Sequence, residues 1–470
     1  VQAFLSFFKK VSPGWLFTAA IFILLLLPSL LMKGMFMDGV IYGAVARNLS
    51  LGAGDFWHLK FSDTLLQPFH EHPPLAFYLE SLVFRFVGDY YFSERLYTFL
   101  IALATAVVLV KVYRLMGGPA HLSWFAVLLW ITTERVFWSI NQNMLEVTMS
   151  FFSLSTVYLL YEAEQRRGAK KLLQVLIAAC LLLAAFLSKG FPGLFPLGFY
   201  FFRYLSRSGQ SFRYFLFNTL IFSGLFLLCG LLLISLATGA KESLLHWLQQ
   251  QVAGSVQGLD RTGLRWPFIS GFFQQLLPMF SVLLALLVIL KIKRRRYLPL
   301  TDAQQVMLYL GFSAFLPLLI SPKLSFYYFV PAIPYFALFT AHYLEESLKK
   351  HTLIWPTKKW MNVAALLCLV TNLIFSISQT GKAERNTSLL ADVHALCSVL
   401  PPTSTLSVSE SLAEDWTLFA YLQRAGRLNI SRESGANFYL QRRNEAAPIE
   451  KKEILLVLSE FRLFSVSNNQ

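Results

Sequence analysis

The stretch FNTLIFSGLFLLCGLLLISLA (Phe217–Ala237) carries no charge. It matches the roughly 20 apolar residues that a helix needs to cross a bilayer. WLFTAAIFILLLLPSLLM (Trp15–Met32) repeats the pattern near the start. That run is too long for a removable signal peptide and lacks a small-residue cleavage site. Across 470 residues, 56% are hydrophobic and only 14% are charged, where a soluble domain carries roughly 25% charged residues. The chain therefore reads as a polytopic α-helical integral membrane protein.

Working outward from these two runs gives about eleven spans, with 11–13 as the expected range. They lie near 15–32, 94–114, 120–140, 146–162, 171–188, 191–205, 214–237, 272–291, 304–320, 325–345 and 359–378. The short pair 171–205, joined by SKGFPG (Ser188–Gly193), also reads as two half-length helices.

The net charge is +15. In a soluble chain this would point to nucleic acid, but here the positive-inside bias accounts for it. The basic runs Lys9–Lys10, Gln165–Lys171, Arg203–Arg213, Lys291–Arg296 and Lys349–Lys359 all fall between spans. With the N-terminus inside, all five are cytoplasmic. Cys180, Cys229, Cys368 and Cys397 show no CxxC spacing, so neither a disulfide framework nor a zinc knuckle is expected.

Three segments fall on the outer side. The first outer loop, 33–93, follows the first span. In it MDGVIYGAVARNL suits a helix lying flat at the interface. FHEHPPLAFYLE follows, and Pro73–Pro74 should open a second juxtamembrane helix running to about Val87. The second outer loop covers 239–271. The tail 379–470 is the one soluble-looking stretch. TLSVS and EILLVLS read there as strands, and EDWTLFAYLQRAG reads as a helix closed by Gly426. The expected division is a membrane domain, 1–378, and a small C-terminal α/β domain, 379–470. No internal repeat is evident, which weakens a transporter built on inverted repeats.

The outward side collects the groups that carry chemistry. Asp38 follows the first span closely, and His70, Glu71 and His72 share its loop with His58. Carboxylates and imidazoles are the usual ligands of a catalytic divalent ion. Each alone also reads as a solvated loop residue. Lys189 and Lys323 end apolar runs on the same side, with Tyr327 and Tyr328 just after the second. Snorkelling explains such lysines, and so does binding a phosphate at the membrane surface. Arg47, Arg85 and Arg95 are further outward cations. Acids for proton abstraction beside cations for an anionic head group fit an enzyme acting on a lipid-linked phosphate.

These motifs, in this order, resemble the GT-C superfamily of polyprenyl-phosphate-sugar-dependent glycosyltransferases. The likeness is to the bacterial branch that includes the lipid A aminoarabinose transferase, and more distantly to protein O-mannosyltransferases. Asp38 takes the position of that branch's first-loop acid, and Arg47 its Ala-Arg arginine. Glu71-His72-Pro73-Pro74 takes the place of an E-K-P-P motif, and Arg95-Leu96 that of an Arg-Leu pair. Lys189-Gly190 and Lys323-Leu324, with Tyr327, Tyr328 and Pro331, match two later motifs. Gly39 stands where the branch has a second acid, and His72 where it has lysine. Both departures argue against aminoarabinose as the sugar.

The resemblance implies an inverting transferase of a hexose or pentose, using a polyprenyl-phosphate donor and no nucleotide cofactor. Asp38 and Glu71 would be catalytic. Arg47, His72, Lys189, Lys323, Tyr327 and Tyr328 would bind the donor phosphate. A divalent metal would sit at Glu71 with His70 or His246. The acceptor would be a lipid, a glycan or a protein. The chain would be multi-pass in a bacterial inner membrane, with its active site and C-terminus in the periplasm. Two rival classes are a transporter or flippase of a lipid-linked sugar and a non-catalytic subunit of an envelope complex.

Overall fold

A computed structural model describes residues 12–206, 209–256, 264–321, 323–350, 359–432, 436–446 and 452–466. Lys9–Lys10, the stretch 351–358 and part of the second outer loop (257–263) lie outside the described residues. The chain divides into two units, Val1–Leu30 with Thr98–Thr380 and Leu31–Tyr97 with Gly381–Gln470.

The first unit is helical. Pro13–Leu31, Ser93–Leu115, Gly168–Lys189, Phe212–Leu236, Asp302–Ile320 and Trp360–Ser378 are long and apolar enough to cross a membrane. Among the described residues, the bent pairs Glu134–Asn141 with Leu145–Glu164 and Arg265–Gln275 with Leu277–Ile292 bring these to as many as eight if each pair is one span. The polytopic architecture is as expected. Prolines and charge shape the other apolar stretches. Pro192 and Pro196 turn 191–198 into a 3-10 segment, followed by only a seven-residue helix, Phe199–Leu205. The stretch 120–140 breaks into a 3-10 turn and two eight-residue helices. The helix Ile333–Lys350 ends in a charged run, HYLEESLKK. Gly168–Lys189 is one full-length helix, not a half-helix.

Lipid tails are as apolar as leucine, so close packing, not water exclusion, holds such helices together. Phenylalanine supplies much of it. Phe272 stacks on Phe315 with centroids 3.7 Å apart, and Phe329 and Phe336 close around Phe272 edge-on. Leu220, Leu227 and Leu231 of Phe212–Leu236 stay exposed, as a lipid-facing surface requires.

The second unit joins the first-loop segments to the C-terminal residues. Arg95 fixes the two chain segments that enter it. Its guanidinium donates to the Met32 and Gly34 carbonyls (2.6 and 2.5 Å) and pairs with Glu384 at 2.7 Å. Alongside, Lys33 and Ala383 form a parallel bridge. Both juxtamembrane helices are present, as Met37–Ser50 and Leu75–Val87, the latter opening directly after Pro74. The expected α/β fold is present too. β1 (Thr405–Val408), β2 (Asn429–Ser431), β3 (Phe438–Arg442), β4 (Lys452–Val457) and β5 (Phe461–Val466) form one sheet, ordered β2-β1-β3-β5-β4. β1 runs parallel to β2 and β3, and β5 runs antiparallel to β3 and β4. The helix Trp416–Gly426 ends on Arg427, which is left-handed at φ 54°. Gly426 serves by close approach instead, since a Cβ there would come within 2.5 Å of the Cys397 sulfur.

Candidate active site

The sequence-predicted residues fall into two sets, one in each unit. In the second unit, Asp38 occupies the first turn of Met37–Ser50, where the helix dipole favours a carboxylate. It is half-buried, while Gly39–Leu49 behind it are all buried. One turn along, the Tyr42 hydroxyl lies 3.1 Å from His72 Nε2, and the two rings meet edge-on at 5.6 Å. Phe77, two residues into Leu75–Val87, packs edge-on against Tyr42 and Phe69. The HEHPP segment is thus seated on the helix that carries Asp38. Within it Glu71 is exposed, His72 half-buried and His70 buried.

Arg47 has a task that its motif position did not show. It is 2% exposed and donates to the Gln423 and Arg424 carbonyls at 2.8 and 3.1 Å and to Asn48 Oδ1 at 3.1 Å. Those carbonyls belong to the last turn of Trp416–Gly426, where acceptors lack helical partners. Burial, then the neighbouring Arg424 guanidinium, brings Arg47 down to about 10, so it stays charged at neutral pH. Tyr421 adds a second tie, accepting from the Met35 N–H and donating to its carbonyl, both at 2.8 Å. Arg47→Met should therefore cost about 3 kcal/mol of stability, from hydrogen bonds made by a charged group. The folded fraction should keep its donor KM. Thermal melting and steady-state kinetics on one preparation check this, and a raised KM at unchanged stability would return Arg47 to the donor phosphate.

In the first unit, Lys189 ends Gly168–Lys189 and is buried. Its Nζ lies 2.5 Å from Glu146 Oε1, and Glu146 is fully buried. The same Nζ sits 5.4 and 5.0 Å from the ring centroids of Tyr327 and Tyr328, a cation–π arrangement. Tyr327 stacks on Trp138 at 5.9 Å, and Arg135 lies over Trp138 and Phe326 at 5.7 and 5.6 Å. Gly190 lets the chain leave: its φ is +89°, and a Cβ would come within 2.5 Å of the Trp247 ring. Lys323 is half-buried in the same unit, its carbonyl accepting from the Ser321 hydroxyl at 2.8 Å.

Sequence reasoning missed Glu146 and Arg135. The 117° break between Glu134–Asn141 and Leu145–Glu164, with Asn143 left-handed at φ 54°, puts Glu146 in the first turn of the second helix. The available signal was NQNMLE, a polar run with an acid inside an apolar stretch, and ionisable groups there usually have a task.

His246 pairs with Glu242 at 3.9 Å, both well exposed. Among the described residues, three side chains with ligand atoms within 4.8 Å of one another, one imidazole and two carboxylates, occur at His342, Glu345 and Glu346. The fit to a metal there is poor. Gln304 Oε1 accepts the Thr301 N–H at 2.9 Å in a capping box, so its amide NH2 faces His342 Nδ1 at 2.9 Å. Nδ1 then accepts, and the neutral ring carries its proton on Nε2, which leaves no free lone pair for an ion.

Comparison with known proteins agrees with this architecture. The family model for dolichyl-phosphate-mannose-protein mannosyltransferases matches residues 71–236. No curated protein sequence matches the chain. The fold is similar to the crystal structure of ArnT from Cupriavidus metallidurans bound to undecaprenyl phosphate. The TM-score is 0.67 at 14% identity, over 96% of this chain and 98% of that one. It is also similar to the archaeal oligosaccharyltransferase AglB from Archaeoglobus fulgidus, solved with an inhibitory peptide and a dolichol-phosphate. There the TM-score is 0.50 at 12% identity, over 91% of this chain and 69% of that one. The chain has the GT-C fold, as the order of its motifs implied.

Proposed function

We propose that this protein is an inverting glycosyltransferase that moves a monosaccharide from a polyprenyl-phosphate carrier to a lipid, glycan or protein acceptor. The reaction would take place at the outer face of a bacterial inner membrane. The observation that carries the reading is Lys189, a buried cation set under two tyrosines and held by Glu146. It lies in a fold shared with a protein solved with undecaprenyl phosphate bound. A buried, pre-placed cation stabilises charge that develops on a leaving phosphate.

In this reading the acceptor hydroxyl oxygen attacks the anomeric carbon as the bond from that carbon to the phosphate oxygen breaks. Asp38 takes the hydroxyl proton, and the polyprenyl phosphate leaves as its anion. Lys189, Lys323 and His72, with Tyr327 and Tyr328, neutralise that anion. Glu71, exposed at the head of its motif, orients the acceptor. The donor arrives activated, so no nucleotide is needed. No step is routed through a metal.

Inversion is tested by proton NMR of the product formed from a donor of known anomeric configuration. A single displacement gives the opposite configuration. Retention would demand a covalent glycosyl intermediate and remove Asp38 from its role as base.

A further inference from the structure

Elsewhere in the first unit lies a cavity of about 760 Å³, within the roughly 300–1,000 Å³ range of ligand pockets. Phe17 of the first span, Trp124, and Trp360 and Met361 of the last span form its apolar wall. His121, Glu345 and Lys349 also line it. Its shape is built in. The Trp124 indole lies so close to Gly14 that a Cβ there would come within 2.2 Å of the ring. Farther along, Asn372 Nδ2 donates to the Ala20 carbonyl at 2.9 Å, which pins the last span to the first. Phe17 and Trp360 are 42% and 64% exposed, so the slot continues onto an apolar outer surface.

In the sequence beside its lining residues, basic residues outnumber acidic ones. In the sequence, Lys9–Lys10 precede Ser12, Arg114 precedes Gly117, Lys349–Lys350 end the helix Ile333–Lys350, and Lys358–Lys359 precede Trp360. Glu345 and Glu346 are the acids of the same helix end. These are the segments that the positive-inside bias assigns to the cytoplasmic side, whose leaflet carries anionic lipid. The bias alone accounts for the charges, but not for a preformed apolar slot between the first and last spans.

We propose that this slot binds an anionic phospholipid of that leaflet. Its phosphate would lie at Lys349 and its acyl chains against Phe17, Trp124 and Trp360. The assignment is independent of the transferase reading.

The test is native mass spectrometry of the full-length, delipidated protein titrated separately with phosphatidylglycerol, phosphatidylcholine and undecaprenyl phosphate. Wild type should retain phosphatidylglycerol over phosphatidylcholine. Lys349→Ala should cut that preference about fivefold, the share of one basic residue near a membrane surface. Ala364→Trp, which fills the slot from the last span, should lower phosphatidylglycerol retention and leave undecaprenyl phosphate retention unchanged. Equal retention of the two phospholipids by wild type would overturn the proposal. So would retention by Lys349→Ala equal to wild type. Loss of undecaprenyl phosphate, and not of phosphatidylglycerol, in Ala364→Trp would overturn it as well, and would assign the slot to the isoprenoid. Should Ala364→Trp melt below wild type, Lys349→Ala decides alone.

Discussion

Asp38→Asn is expected to lower turnover by about 10²–10⁴-fold while saturable binding of the donor persists. The amide is nearly the same size as the carboxylate but cannot take the acceptor's proton. The frame around it should not move. Asp38 sits in the first turn of a helix whose next eleven residues, Gly39–Leu49, are buried, and that helix is clamped by Arg47 and by the Tyr42–His72 contact. A melting temperature equal to wild type would confirm that only the chemistry was removed. Turnover within a few-fold of wild type would show that another group takes the proton.

The second large effect concerns the Lys189–Glu146 pair. Lys189→Met removes the cation that pairs with a fully buried carboxylate. Breaking a buried pair from one side costs about 3–5 kcal/mol, and loss of one charge-stabilising group costs about 10²–10³ in turnover. The double variant Lys189→Met/Glu146→Met separates the two consequences. Exchange of both charges for apolar groups of similar size is often neutral or stabilising, so the double variant should melt close to wild type yet remain inactive. Activity that recovers together with stability would mean that Lys189 serves the fold and not the donor.

What could be read in advance was local. The apolar runs, the flat helix Met37–Ser50 and the start of Leu75–Val87 after Pro73–Pro74 each follow from composition or from one residue's backbone limits. Lys189 and Tyr327–Tyr328 could be singled out because charge and aromatic hydroxyls at span ends are conspicuous. Their meeting could not. Lys189, Glu146 and Tyr328 are far apart in sequence, and only helix packing brings them within 2.5–5.0 Å. Arg47 makes the point more strongly. Its motif position suggested a phosphate ligand, whereas its donors go to carbonyls more than 370 residues away. The grouping of the first outer loop with the C-terminal sheet rests on such long-range bonds, Arg95–Glu384 among them. Apolar composition also does not show where a helix is broken, as at the proline-bearing 3-10 segment Phe191–Gly198.

The most direct test of the central claim reconstitutes the purified protein in liposomes with a panel of polyprenyl-phosphate monosaccharides and an envelope extract as the source of acceptor. Free polyprenyl phosphate is then measured over time. The account predicts that one donor is consumed, that polyprenyl phosphate and glycosylated acceptor appear in equal amounts, and that removal of the extract stops both. Movement of an intact donor across the bilayer without release of polyprenyl phosphate, or tight binding of a donor that is never consumed, would contradict it.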